Sequence, residues 1–327
     1  MSLRSLLSSA LLAATAVASG PAMADTLRIG WQQIVEPSRV AQASGAYEAA
    51  TGADITWSLF GGGADVIAAV AAGAIDIGYV GSSPLTAAAS QGLPIETIYV
   101  VGNIAEAEAL AVKGISSPED LRGKKIATPF VSTAHYSLLT ALGHWGIPAN
   151  EVNLLNLRPQ DIAAAWERGD IDGAYIWDPV LNQIKATGGT VLADSADVAT
   201  WGGPTFDAWI VSKEYAAKHP EIVTAFVKVT GEVTDAYLAN PDAWGADSEA
   251  AKQIAELTGA PAADVPALLK GYVFAGLKDQ VSPAFLGGAT AEAIKATAQF
   301  LESQGSATAL ADYSGNVNAG FAAAALK

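Results

Sequence analysis

Two stretches decide the fold: GAIDIGYVGSSP at 73–84 and GDIDGAYIWDP at 169–179. Their tyrosines, Tyr79 and Tyr175, stand 96 residues apart, and their prolines, Pro84 and Pro179, 95 apart. Each follows an alanine-rich helical pattern. Each then reads as a glycine stop, a short apolar strand, a polar cap, and a proline in the first turn of a new helix. The spacing predicts two related α/β units, each with a helix N-terminus at the end of a strand. In open α/β sheets, ligands bind at that edge.

Outward from these stretches, strand and helix signals alternate with short links. Strands are expected at Thr26–Trp31, Asp54–Phe60, Ile75–Val80 and Ile95–Val101, with helices at Pro37–Ala50, Ala64–Ala72 and Ser83–Gln91 between them. The pattern restarts after Ser117, with strands at Lys125–Pro129, Val152–Leu157, Asp172–Trp177 and Thr190–Ala193. Such alternation predicts an α/β chain whose sheets contain parallel strands. After a strand at Phe206–Ser212 the chain reads as helical, with breaks near Pro261, Pro266 and Pro283.

The N-terminus reads as an export signal over residues 1–24. Arg4 supplies the positive charge, Leu6–Ala18 the apolar run, and Ala22-Met23-Ala24 a small-x-small cleavage site. There is no cysteine, so disulfides, thiolate metal sites and lipid attachment through cysteine are excluded. The net charge of −15 argues against nucleic acid and anionic membranes as partners. Helix N-termini can still hold an anion inside an acidic protein.

No catalytic constellation stands out. His135, His144 and His219 form no HExxH pattern, and no GxSxG, Walker A or strand-linked GxGxxG motif occurs. No cofactor or metal is expected, nor is an enzyme. The candidate ligand groups lie at strand-to-helix turns. Gly81-Ser82-Ser83-Pro84 offers two hydroxyls and free N–H groups, and Ser132-Thr133-Ala134-His135 repeats the device. Glu36, Asp178 and Asp207 are candidate partners for an ammonium, and Trp177, Trp201 and Trp209 candidate apolar or cation–π walls.

Several of these stretches together resemble the substrate-binding proteins of ABC importers that take taurine, aliphatic sulfonates, nitrate and thiamine precursors. The resemblance runs through Glu36-Pro37, Gly81-Ser82-Ser83-Pro84-Leu85, Ser132 to Leu139, His144-Trp145-Gly146-Ile147, Arg168 to Tyr175, Trp201-Gly202 and Lys218-His219-Pro220-Glu221. It implies a type II periplasmic-binding fold: two α/β lobes joined by two crossing segments, with ligand in the cleft. Lobe 1 is expected at 25–111 and 209–327, and lobe 2 at 112–208. By the same resemblance, Ser82, Ser83, Thr133 and His135 hold a sulfonate. Glu36 and Asp207 meet the ammonium of taurine, and Gln33, Trp177 and Trp201 line the pocket. The chain departs from the pattern at Asp178 and Ala134, which leaves other small sulfonates, nitrate or a sulfate ester as alternatives. The resemblance further implies a periplasmic monomer that delivers its ligand to a membrane permease.

Overall fold

A computed structural model describes residues 25–327. The export signal expected at 1–24 lies outside the described residues. Eleven strands are described, in two sheets. The first sheet holds β1 (Thr26–Trp31), β2 (Asp54–Leu59), β3 (Ile77–Gly81), β4 (Ile95–Ile104), β10 (Phe206–Ser212) and β11 (Tyr272–Phe274), in the order β11-β4-β10-β3-β1-β2. The second holds β5 (Glu108–Val112), β6 (Lys125–Thr128), β7 (Asn153–Asn156), β8 (Gly173–Trp177) and β9 (Thr190–Asp194), in the order β7-β6-β8-β5-β9.

The two sheets repeat one plan. In each, three strands run parallel (β2-β1-β3 and β7-β6-β8), and an antiparallel strand then pairs with the third. The repeated aspartates do the same work in both. Asp76 Oδ2 accepts the backbone N–H of Arg28 at 2.9 Å, and Asp172 Oδ2 accepts that of Lys125 at 2.8 Å. Each carboxylate so pins the adjacent parallel strand. Strands β3 and β8 are buried along their whole length, which is why they read as unbroken apolar runs rather than alternating ones.

The chain crosses between sheets twice. It leaves β4 through 105–107 into β5, and returns from β9 through the helix Ser195–Thr200 into β10. The divisions expected at 111/112 and 208/209 therefore fall inside strands β5 and β10. Each of these strands lies wholly within one sheet, because splitting a strand would leave ladder hydrogen bonds unmade.

Three other departures from the sequence reading have local causes. Gly45, at φ 72°, divides the helix expected at Pro37–Ala50 into Ser38–Ser44 and Ala46–Thr51. Strand β11 interrupts the helical C-terminal region and extends the first sheet beyond β4. Strand β5, with the sequence EALAV, is buried throughout and carries no alternation to announce it. The long helix Pro220–Ala239 packs Phe226 against Tyr47, with ring centroids 4.6 Å apart, and so covers the first sheet. No helix among the described residues is long and apolar enough to cross a membrane.

Candidate functional site

A cavity lies where the strand ends of the two sheets meet. Gln32, Gly63, Gly81 and Asp207 line it from the first lobe, and Glu108, Thr133 and Trp177 from the second. Three helices begin at its wall: Gly63–Ala71, Ser82–Ser90 and Thr133–His144. Their first N–H groups have no partner within the helix, so the wall carries partial positive charge. The wall includes no lysine, arginine or histidine.

Two carboxylates face this space. Asp207, 3% exposed, sits on β10 opposite Gly81. Its Oδ2 accepts the hydroxyls of Tyr79 at 3.1 Å and Tyr272 at 2.9 Å. Glu108, 1% exposed, sits on β5 opposite Trp177. It accepts Thr133 Oγ1 at 2.6 Å and Ser195 Oγ at 2.8 Å. Burial pushes each carboxyl up to about 7, against the opposing pull of the hydroxyls that donate to it. Two buried acids in a wall that has no cationic side chain suit a positively charged group. The helix N-termini beside them suit an anion.

The sequence-predicted residues separate into two groups. Thr133, Trp177 and Asp207 line the cavity as expected. Ser82 and Ser83 open the helix beside it, both buried. Ser82 Oγ accepts the N–H of Phe206 at 3.4 Å, whereas Ser83 Oγ has no hydrogen-bond partner.

The other candidates are placed elsewhere. Glu36 is fully buried and lies 3.0 Å from the Arg39 guanidinium. It also accepts the Ser38 N–H at 2.7 Å and the Ser38 hydroxyl at 2.5 Å, so it opens a helix and neutralises Arg39. Gln33 lines a neighbouring cavity, and it is Gln32 that faces the inner one, donating to the Tyr79 carbonyl at 2.9 Å. His135 stacks on Phe130 at 4.4 Å, and burial lowers it to about 4. Trp201 stacks on His144 at 4.2 Å. Asp178 accepts the Asn182 N–H at 3.0 Å, and burial raises it to about 7. None of Glu36, His135, Asp178 and Trp201 lines the cavity.

Glu108 lines the cavity and was not among the residues singled out from the sequence. Its signal was a single acid in an otherwise apolar EALAV stretch. Asp25, His219 and Glu221 form the one cluster among the described residues able to hold a metal, and it lies outside the cavity.

Compared with known proteins, the chain matches the family described as NMT1/THI5 like over residues 36–244, and it belongs to that family. It is 47% identical over 313 residues to the taurine-binding periplasmic protein of Escherichia coli strain K12, covering 95% of this chain and 97% of that one. It superposes with a TM-score of 0.75 on the alkanesulfonate-binding protein SsuA of Xanthomonas axonopodis pv. citri bound to MOPS, at 26% identity over 88% of this chain and 95% of that one. The periplasmic aliphatic sulphonate binding protein SsuA of Escherichia coli gives 0.68 at 23% identity, over 86% and 92% of the two chains. The two-lobed α/β architecture with a cleft is the fold of these binding proteins.

Proposed function

We propose that this chain is the substrate-binding protein of an ABC importer and that its ligand is taurine. The observation that carries the reading is the pair of buried carboxylates, Glu108 and Asp207, in a cavity with no cationic side chain. Taurine supplies the missing positive charge. Its sulfonate matches the helix N-termini at Gly63, Ser82 and Thr133, with the free Ser83 hydroxyl as a further donor. Gln32 and Trp177 complete the enclosure, one from each lobe. The high identity to the Escherichia coli taurine-binding protein supports the same ligand.

The lobes in this reading are the two sheets with their helices, hinged at 105–107 and at 201–205. Ligand touches both, so it favours the closed arrangement over the open one. The chain works as a monomer in the periplasm, after cleavage behind Ala24, and hands its ligand to a membrane permease. It binds without chemistry.

Isothermal titration of taurine and of ethanesulfonate into the chain from residue 25 onward tests the reading. One-to-one binding of taurine, with ethanesulfonate far weaker, is expected. Equal binding of the two would remove the amine site and leave a general sulfonate receptor. No binding of taurine would overturn the assignment.

A further inference from the structure

The cluster of Asp25, His219 and Glu221 joins two parts of the first lobe that are remote in sequence. Asp25 stands directly before β1, and its carbonyl accepts the Asp54 N–H at 2.8 Å, so the sheet holds it in place. His219 and Glu221 flank Pro220, the first residue of the helix Pro220–Ala239. The imidazole is half-buried and stacks on Tyr215 with ring centroids 4.6 Å apart, which fixes its plane. Both carboxylates are exposed and can be reached from water.

The spacing of the donors fits an ion. One ligand atom from each of the three residues lies within 4.8 Å of the others. His219 Nδ1 stands 3.5 Å from Asp25 Oδ2. That is longer than a good hydrogen bond, at roughly 2.7–3.2 Å. It matches the edge of a tetrahedron around a zinc-type ion, about 3.4 Å for bonds near 2.1 Å. The neighbouring cation, Lys218, is taken up by Glu214 at 2.6 Å. An imidazole beside two carboxylates suits a borderline transition ion, whereas calcium and magnesium prefer oxygen alone.

A fourth donor follows from processing. Cleavage behind Ala24 would make Asp25 the first residue, and its α-amine and side-chain carboxylate can then close a chelate ring on one ion. In the precursor the same nitrogen is an amide and is no donor at neutral pH. We propose that Asp25, His219 and Glu221 hold a divalent ion of the zinc class, and that removal of the signal completes the site with the Asp25 α-amine. The fourth donor rests on the cleavage reading; the three side chains do not. A bound ion ties the start of β1 to the start of the helix that covers the first sheet, away from the ligand cavity, and so favours the processed chain.

Calorimetry with Zn2+ alone tests it, on metal-stripped chains that begin at Asp25 and at Gly20, with His219→Ala and Glu221→Gln made in the first. The chain from Asp25 is expected to bind one ion with a dissociation constant of about 1 μM or below. It should melt about 5 °C higher when free Zn2+ is about 100 times that constant. The chain from Gly20 and both variants are expected to bind at least about tenfold more weakly. Taurine affinity is expected to be the same with and without Zn2+. Absence of stoichiometric binding to the chain from Asp25, or unaltered binding in both variants, would overturn the site. Equal melting shifts with Ca2+ and Zn2+ would overturn nitrogen ligation, and the site with it. Equal Zn2+ affinity of the chains from Asp25 and Gly20 would overturn the fourth donor. The mass of the exported chain checks the cleavage separately: a start other than Asp25 would reject the processing step, while calorimetry on chains of defined start still decides the site.

Discussion

Asp207 and Glu108 occupy the same place in the two sheets. Asp207 faces Gly81, the last residue of β3, and Glu108 faces Trp177, the last residue of β8. Gly81 and Trp177 are 96 residues apart, the spacing of the repeated tyrosines. Those tyrosines follow suit: Tyr79 donates to Asp207 at 3.1 Å, and the Tyr175 hydroxyl lies 3.2 Å from Ser195, which donates to Glu108. Each lobe so brings one carboxylate to the cavity on the strand that crosses over.

Replacing either carboxylate by its amide separates binding from stability. Glu108→Gln and Asp207→Asn are each expected to weaken taurine binding by about 2–5 kcal/mol, since a buried charge partner is lost. The ligand-free protein is expected to unfold no more easily, because a neutral amide avoids the cost of ionising a buried acid. Calorimetry and urea unfolding on the same variants check both halves. Unchanged taurine affinity in both variants would reject the amine site.

Acid is expected to act on binding and stability in opposite directions. Burial raises Glu108, Asp178 and Asp207 to about 7 in the folded chain. Between the unfolded values near 4 and this value the folded state holds more protons, so stability falls as pH rises through that window. The cost of full ionisation is roughly 3–4 kcal/mol per group. Taurine needs the ionised forms of Glu108 and Asp207, so its affinity falls below pH 7, by about tenfold per pH unit for each proton displaced. Unfolding of the ligand-free chain and taurine titration, both at pH 5 and pH 8, read the two trends.

Glu36 is expected to behave as part of the fold. It neutralises Arg39, which is fully buried with its guanidinium carbon 5.1 Å from the Tyr79 ring centroid and 5.6 Å from that of Trp209. Glu36→Gln removes the carboxylate paired with that cation and is expected to cost about 3–5 kcal/mol of stability. A melting curve checks this. A folded, stable variant that loses only taurine binding would return Glu36 to the ligand site.

Gly81 has no need of a glycine backbone, with φ −77° and ψ 162°. A Cβ there would lie 2.6 Å from Thr133 Cγ2 and 3.3 Å from Asp207 Oδ1. Thr133 belongs to the opposite lobe, so Gly81→Ala is expected to obstruct closure while each lobe still folds. Taurine affinity should drop at least about tenfold, with little change in melting temperature of the ligand-free chain. Small-angle scattering with saturating taurine would show a smaller contraction than in the wild type.

Much of the architecture was legible because it is written locally. Asp76 and Asp172 recur with their glycines and tyrosines, and both copies fold into the strand-to-helix edge that the pattern implies. Thr133, Trp177 and Asp207, singled out because each stands at a strand end or a helix start, do line the cavity. Gln33, read as a pocket residue, lines the neighbouring cavity, and Gln32 the inner one; the chain turns between them, the Ile34 N–H donating to the Gln32 carbonyl at 2.8 Å. Glu36 was read as a candidate partner for an ammonium from its place before Pro37 and from the family resemblance. Its partner Arg39 stands three residues on, and burial closes the pair to water.

By itself the sequence determined the α/β class, the two related units, the helix N-termini that face a common edge and the absence of any cysteine chemistry. Those features depend on residues within a turn or two of one another. Only the tertiary structure decided which acids share the cavity. Glu108 and Asp207 lie 99 residues apart, on strands that each cross from the opposite lobe. Their meeting depends on sheet order and on the register of β5 with β8 and of β10 with β3. Those long-range pairings are fixed by the packing of whole sheets and leave no local periodicity to read.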